Sequence, residues 1–317
     1  MSEITTRDTY VDMLLTAISI GYSNPDYVAP MIAPVVPVSL RTGFIPNYVQ
    51  SHWFRNTATR RATGTVSQRG SFQLDNTRTY ACQRASFGFE IADEVRDSTV
   101  DPYNMDRDGT VFATDRILME QELDFTNNLF IPGIWTDEVG GVDFVQFSDY
   151  GSSTPLLTIS VAIDNIEGRI GREGNWGVMG KQVFTPLRWH PDLLDTIKYT
   201  QKGYVTEDIM SSLFGLERMV IGRGIYTASP EGTPEASVVY QRIWGKNLLL
   251  IYRPAAPSLI TPAACYNFVW QRVPNANLYI RRFREEWREI DVLEANTYHD
   301  YRVTAARAGE FLSGAVA

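Results

Sequence analysis

Three features of the sequence predict an α+β fold: an arginine-rich segment that alternates like a long β-hairpin, a 25-residue stretch with helical spacing, and a run of alternating helices and strands that gives way to a β tail. The 317 residues suffice for one large or two smaller domains with real cores. Hydrophobic residues make up 44% and charged residues 21%, the balance of a folded protein with a polar surface.

The N-terminal 30 residues hold a short helical pattern, TYVDMLLTAI, closed by Gly21, Asn24-Pro25 and Pro30. MIAPVVPVSL follows with Pro34 and Pro37. Proline neither donates to a sheet ladder nor sits inside a helix, so residues 1–40 read as an extended arm.

Residues 41–90 carry seven arginines (Arg41, Arg55, Arg60, Arg61, Arg69, Arg78, Arg84) against Asp75 and Glu90, a local charge of +5 in a chain whose net charge is −8. TATRRATGTVSQRGSFQLDNTRTYA alternates Thr, Arg, Ser and Gly with few aliphatic residues, which reads as a long hairpin. A two-stranded ribbon of this composition has no core and must lie on something else.

From Asp101-Pro102 the period changes. Apolar residues recur at Val111, Leu118, Phe125 and Leu129, and at Phe112, Met119, Leu123 and Phe130, two adjacent rows on one helix spanning 106–130. Asp115 and Glu122 interrupt that face. VDFVQFSDY then reads as a strand.

Residues 155–223 alternate: helix TPLLTISVAIDNIEGRI, strand WGVMG, two helical turns in KQVFTPLRWHPDLLDTIKY, a helix TEDIMSSLF capped by Thr206, and strand LERMVIG. Strands NLLLIYRP and YNFVW follow. The tail, NLYIRRFREEWREIDVLEANTYHDYRV, reads as two long strands joined near Glu294–Asn296.

Composition narrows the function. A net negative chain is poorly suited to coating nucleic acid, because phosphate neutralisation needs a basic surface. Cys82 and Cys265 are too few and too distant for a disulfide framework or zinc site. The N-terminus lacks the basic region of a signal peptide, and no apolar run reaches the roughly 20 residues of a membrane span. A soluble protein made in the cytoplasm is expected. Arginines outnumber lysines 25 to 4, which suits forked ion pairs at interfaces.

The candidate chemical motifs fail in detail. GREGNWGVMGKQ has Asn175 where a P-loop needs its first glycine and Gln182 where it needs Ser or Thr. In NMDRDGTVFATD, residues Asn104, Asp106, Asp108, Gly109 and Asp115 take positions of a calcium loop, but Phe112 fills a ligand position and Asp115 replaces the bidentate Glu. An acidic helix start explains the same residues. His52, His190 and His299 are isolated from one another. Ser152-Ser153 lacks a nucleophile elbow. No catalytic group, cofactor site or metal site is assigned. An α/β enzyme or calcium-binding protein, and a nucleic-acid-binding module using the arginine hairpin with Trp53, Phe54, Phe72 and Tyr80, remain the alternatives.

The order of elements, with WFRNTATRRATGT, FEIADEVRD, HPDLLDTIKYTQKGYVTE, MVIGRGIYTAS and IWGKNLLLIYRPAAPSLITPAACYNFVW, resembles the major capsid proteins of tailed bacteriophages and their Hong Kong 97 fold. The resemblance covers nearly the whole chain. It implies an N-terminal arm (1–40), an extended loop reaching over a neighbour (41–90), a peripheral domain (91–165 and 271–317) with a spine helix at 106–130, and an axial domain (166–270).

It further implies self-assembly through pentamers and hexamers into an icosahedral shell, put together in the bacterial cytoplasm. That shell would enclose double-stranded DNA without sequence-specific binding or membrane. A separate scaffolding protein, a portal protein and a decoration protein are the implied partners. Arg41, Trp53, Arg55, Arg60, Arg61, Arg69, Asp115 and Glu122 are the candidate interface residues. Some shells of this family are cross-linked from a loop lysine to a neighbour's asparagine. Residues 1–180 here contain no lysine.

Overall fold

The computed structural model describes residues 10–21, 27–45, 78–98, 104–198, 205–257, 262–273 and 276–317, together with 54–56, 58, 60–67 and 69. β1 (Tyr10–Val11) leads into α1 (Met13–Gly21), whose first turn is closed by the Asp12 carboxylate accepting from Leu15 N at 3.0 Å. α2 (Ala29–Ile32) places Pro30 in its first turn, where the missing N–H has no helical partner to lose. β2 (Val35–Val38) follows.

The described part of the predicted arm is docked on the rest of the chain. Ala29, Ile32 and Ala33 are fully buried, and β2 runs parallel to residues 267–270. As the end strand of its sheet, β2 tolerates Pro37, which needs no donor on its outer side.

β3 (Thr42–Phe44) and β4 (Thr79–Ala81) form a three-residue antiparallel ladder with Gly43 opposite Tyr80. Apart from buried Ile45, the described residues between them are exposed and contain no strand. Of the predicted long hairpin, the described residues show this short ladder, and 46–53 and 70–77 lie outside the described residues. Arg84 and Glu90, assigned to that hairpin by sequence, lie instead on β5 (Gln83–Ala92). Alternation explains the difference: Ala85, Phe89 and Ile91 share one face and pack against the long helix.

After α3 (Asp93–Ser98), α4 (Met105–Leu129) begins at Asn104, whose side chain accepts from Arg107 N at 3.0 Å. Its 25 residues span about 37 Å. The buried face is not the predicted pair of rows. It runs through Thr110, Ala113, Thr114, Ile117, Gln121, Glu122, Phe125 and Leu129, while Phe112 is exposed.

The buried threonines are self-sufficient. Thr110 and Thr114 donate to the carbonyls four residues back at 2.7 Å, and the Thr114 hydroxyl meets Ser19 at 2.8 Å.

β6 (Thr136–Val139) precedes residues 142–150, which are turns and not the predicted strand; Phe147 anchors them by full burial. α5 (Pro155–Ile170) ends at Gly171, whose φ of 66° closes the helix. β7 (Trp176–Gly180), α6 (Lys181–Arg188), α7 (Pro191–Ile197), α8 (Glu207–Leu213) and β8 (Arg218–Gly222) follow in the predicted rhythm. Thr206 caps α8 by accepting from Ile209 N.

β9 (Ile225–Thr227) and β10 (Tyr240–Arg242) make a separate ribbon, then β11 (Leu248–Ile251) and β12 (Cys265–Trp270). β13 (Leu278–Glu285), β14 (Ile290–Val303) and β15 (Gly309–Ser313) complete the chain. The turn of this last hairpin is at 286–289, where Glu289 has φ 52°, and not at Glu294–Asn296. Both of those residues are held mid-strand by Arg84, which donates to Glu294 at 2.5 Å and Asn296 at 2.7 Å.

The first sheet has the order β1-β13-β14-β12-β2, with β5 paired along the other edge of β14. The second has the order β6-β15-β11-β7-β8. The N-terminal half of α4 packs on the first sheet through Ala113 and Ile117. Its C-terminal end enters the core of the second through Phe125 and Leu129. One rigid helix therefore ties both sheets together.

Candidate assembly surfaces

Arginine and carboxylate side chains lace the edge where β5, α3, α4 and the β13–β14 hairpin meet. Asp291 accepts from Arg96 at 2.6 Å, Arg282 at 2.9 Å and Arg284 at 3.3 Å. Arg284 also binds Asp93 through both terminal nitrogens, and Arg288 spans Glu90 in the same way. Burial works to raise the Asp291 carboxyl, but Arg96 and Arg282 outweigh it and hold it at about 2.

Replacing Asp291 with Ala removes the carboxylate that three guanidiniums share; each keeps a second partner, Arg96 and Arg282 on Asp106 and Arg284 on Asp93, so the cost should be about 1–3 kcal/mol. Because the folded pKa lies below its ordinary 3.8, the stabilisation is present above pH 4 and is lost as pH falls through 2. Acid unfolding followed by circular dichroism checks this. An unchanged acid midpoint in the variant would remove the assignment.

This bracing holds the hairpin tip, where Trp287 is 82% exposed and Arg288 lies 5.6 Å from its ring centre. Asp106, which the calcium-loop reading would use, instead pairs with Arg96 at 2.9 Å and Arg282 at 3.7 Å. Among the described residues no group of three His, Cys, Asp or Glu side chains is arranged to hold a metal.

The sequence candidates divide. Arg55, Arg60, Arg61 and Arg69 are exposed, and none makes an ion pair among the described residues. Arg41 is committed at home, donating to Cys82 O at 3.0 Å and lying 5.9 Å from the Tyr298 ring centre. Trp53 lies outside the described residues. Asp115 is half-buried.

Glu122 is a correction, because it is fully buried and offers nothing to a neighbouring subunit. Its Oε2 accepts from Val28 N at 2.9 Å and Ala29 N at 2.7 Å, and its Oε1 accepts from Trp244 Nε1. Burial pushes the carboxyl up to about 7 against the pull of those three donors. It is a clasp joining the docked N-terminal segment, α4 and the loop before β11.

Sequence reasoning missed a groove of about 530 Å³ between α4 and β5. Ser86, Phe87, Arg116, Glu120, Asp124 and His299 line it. His299 Nε2 lies 3.4 Å from Glu120 and 3.5 Å from Asp124. The four-residue spacing of Glu120 and Asp124 is legible on a helix. That β14 brings His299 beneath them is not.

One contact looks catalytic. Ser153 Oγ lies 2.8 Å from His190 Nε2, and both residues are buried. However, His190 Nδ1 accepts from Asp192 N at 3.1 Å, so the ring proton sits on Nε2 and donates to the serine. The serine hydroxyl in turn donates to Asp149 O. This histidine has no free lone pair to take the serine proton, so the pair fastens α7 to the preceding loop.

The two sheets, the long helix and the arginine loop define a capsid fold of the Hong Kong 97 type. A phage-related protein from Bordetella bronchiseptica RB50 has the same fold, with a TM-score of 0.74, 18% identity and coverage of 96% of this chain and 97% of that one. The putative capsid protein of a prophage in E. coli CFT073 matches at TM-score 0.54 and 11% identity, over 96% and 99% of the two chains.

In sequence the chain is similar to the major capsid protein of Burkholderia phage BcepMu, 26% identical over 248 residues, which are 77% of this chain and 76% of that protein. The major capsid protein of Pseudomonas phage JBD67 is 26% identical over 250 residues, 77% of each chain. No family model matches the sequence.

Proposed function

We propose that this chain is the shell-forming head protein of a tailed phage, acting in the virion by association with copies of itself. The observation that carries the reading is the similarity to two major capsid proteins over three quarters of the chain, on a fold shared with capsid proteins from end to end. Function then resides in contact surfaces, and no reaction is required of it.

Within that reading, residues 1–40 serve as arm and 41–90 as extended loop. The first sheet with α4 is the peripheral unit, and the second sheet with α5–α8 is the axial unit, meeting its copies around five-fold and six-fold axes. Dividing the chain by sheets in this way is supported by the pairing of β12 with β14 and of β15 with β11. Double-stranded DNA is the enclosed cargo, and a scaffold, a portal and a decoration protein are the expected partners.

Size-exclusion chromatography and electron microscopy of the purified chain test the reading. Capsomers or closed shells are expected. A stable monomer with hydrolytic activity or DNA affinity would overturn it.

Covalent joining is not expected. Residues 1–180 supply no lysine, and arginine stays protonated near neutral pH. Burial pushes the Cys82 thiol up to about 11 and the Cys265 thiol up to about 12, so neither forms a thiolate readily. Assembled particles boiled in detergent with reductant should give one band near 35.8 kDa. A ladder of multimers in that gel would show that another residue pair does the joining.

A further inference from the structure

We propose that Glu138 and Glu310 form a proton-held latch, which ties the end strand β6 to β15 in mildly acidic solution and lets it go as pH rises past neutrality. The inference goes beyond the shell-forming reading and does not depend on it.

The latch begins with strand geometry. β6 runs parallel to β15, with Thr136 opposite Glu310 and Glu138 opposite Leu312. Residues two apart on a strand share a face, so both glutamates lie on the same side of this ladder. Glu310 is 1% exposed and takes its hydrogen bonds from α5: Asn165 Nδ2 donates to Oε1 at 3.3 Å, and Arg169 Nη2 donates to Oε2.

Glu138 meets the same carboxyl from β6, through a hydrogen bond between the two acids. Two ionised carboxylates have no hydrogen to share, so that bond exists only while one of them is protonated. Arg169 favours the charge on Glu310, which leaves the proton to Glu138. Its Nε is buried without a partner, so the guanidinium is not forked across both acids.

Burial is the main force that raises the Glu138 carboxyl to about 7. The bond to Glu310 and the charges of Glu310 and Asp143 push the same way, and Arg169 pulls it down. Asp143 stands close because it closes the end of β6, accepting from Val139 N at 2.8 Å. The folded value lies above the ordinary 4.5, so the proton's contribution is full below pH 4.5 and is lost as pH rises through 7. Above that point Glu138, Glu310 and Asp143 repel one another around a single Arg169.

The repulsion acts on a segment that can move alone. Among the described residues β6 pairs only with β15 and stands at the end of its sheet. Buried aromatic residues pin the chain on either side. The Trp135 indole donates to Leu129 O at 2.6 Å, and Phe147 N donates to Ala315 O at 2.8 Å. The segment between them is a flap that carries exposed Val139, Val142 and Val145, and release re-aims that apolar surface.

Hydrogen exchange on the full chain tests the latch, read by mass spectrometry and corrected for the intrinsic pH dependence of exchange. Sedimentation at each pH verifies a constant oligomeric state. The opening equilibrium of residues 136–143 should rise at least ten-fold between about pH 6 and about pH 8.5, while β7 and β11 stay protected. In Glu138→Gln the amide donates to Glu310 at every pH, so the rise should vanish. Glu122 titrates over the same range in both chains and does not separate them. Flat protection of the wild-type flap, or a rise that persists in Glu138→Gln, would overturn the proposal. If Glu138→Gln does not fold, Asp143→Asn decides. Removing that charge should move the rise to lower pH, and an unmoved rise would equally overturn the latch.

Discussion

Replacing Glu122 with Ala is expected to lower the unfolding free energy by roughly 3–5 kcal/mol, the largest effect of any single polar substitution considered for this chain. The change strands the N–H groups of Val28 and Ala29 and the indole of Trp244, all of which donate to this carboxylate. It also opens a void beside Phe125, whose ring centre is 5.6 Å from that of Trp244.

Glu122→Gln keeps the shape and an acceptor oxygen, so it should cost less. It should also alter the pH response. The folded carboxyl is raised from 4.5 to about 7, so between those values the native state holds a proton that the unfolded chain has released. The stabilisation is therefore full below pH 4.5 and is lost as pH rises through 7, a difference of roughly 3 kcal/mol. Urea unfolding of wild type and Glu122→Gln at several pH values measures it. Parallel profiles for the two proteins would mean that Glu122 does not titrate in the folded chain.

Replacing Arg60, Arg61 and Arg69 together with Ala should leave a folded chain that does not assemble. All three are exposed and lie in a loop with no strand among its described residues, so folding does not depend on them. Each exposed ion pair is worth ~0–1 kcal/mol, so a single replacement should change little while three, repeated around a shell, should be decisive. The melting temperature and the sedimentation profile of each variant separate the two effects. Normal assembly of the triple variant at moderate salt would show that the loop arginines carry no contact.

Local rules made much of the fold legible. The acidic start and length of α4, the capped α8, the proline-led α7 and the apolar strands β7, β8, β11 and β12 all follow from neighbours in sequence. Elements whose character depends on distant partners were misread. Residues 142–150 look like a strand but find no ladder, and Glu294–Asn296 look like a turn until Arg84 holds them in β14.

The candidate site divided along the same line. Charge bias alone picked out the exposed arginines of the loop. It also picked Glu122, because a carboxylate on an apolar helix reads as an interface residue when its three donors lie 93 to 122 positions away and cannot be seen. Glu120 and Asp124 were passed over because His299, which shares their groove, arrives from a strand near the other end of the chain.

By itself, the sequence determined the mixed α+β character: the long helix, the alternating segment and the β tail are set by local periodicity, proline placement and charge, which act over a few residues. Only the tertiary structure decided which face of α4 is inside. Hydrophobicity chose Phe112, Leu118 and Met119, but burial went to Thr110, Thr114 and Glu122, because each found a hydrogen-bond partner that repaid the loss of water. A polar group's fate depends on partners brought together by folding, and no local pattern encodes that.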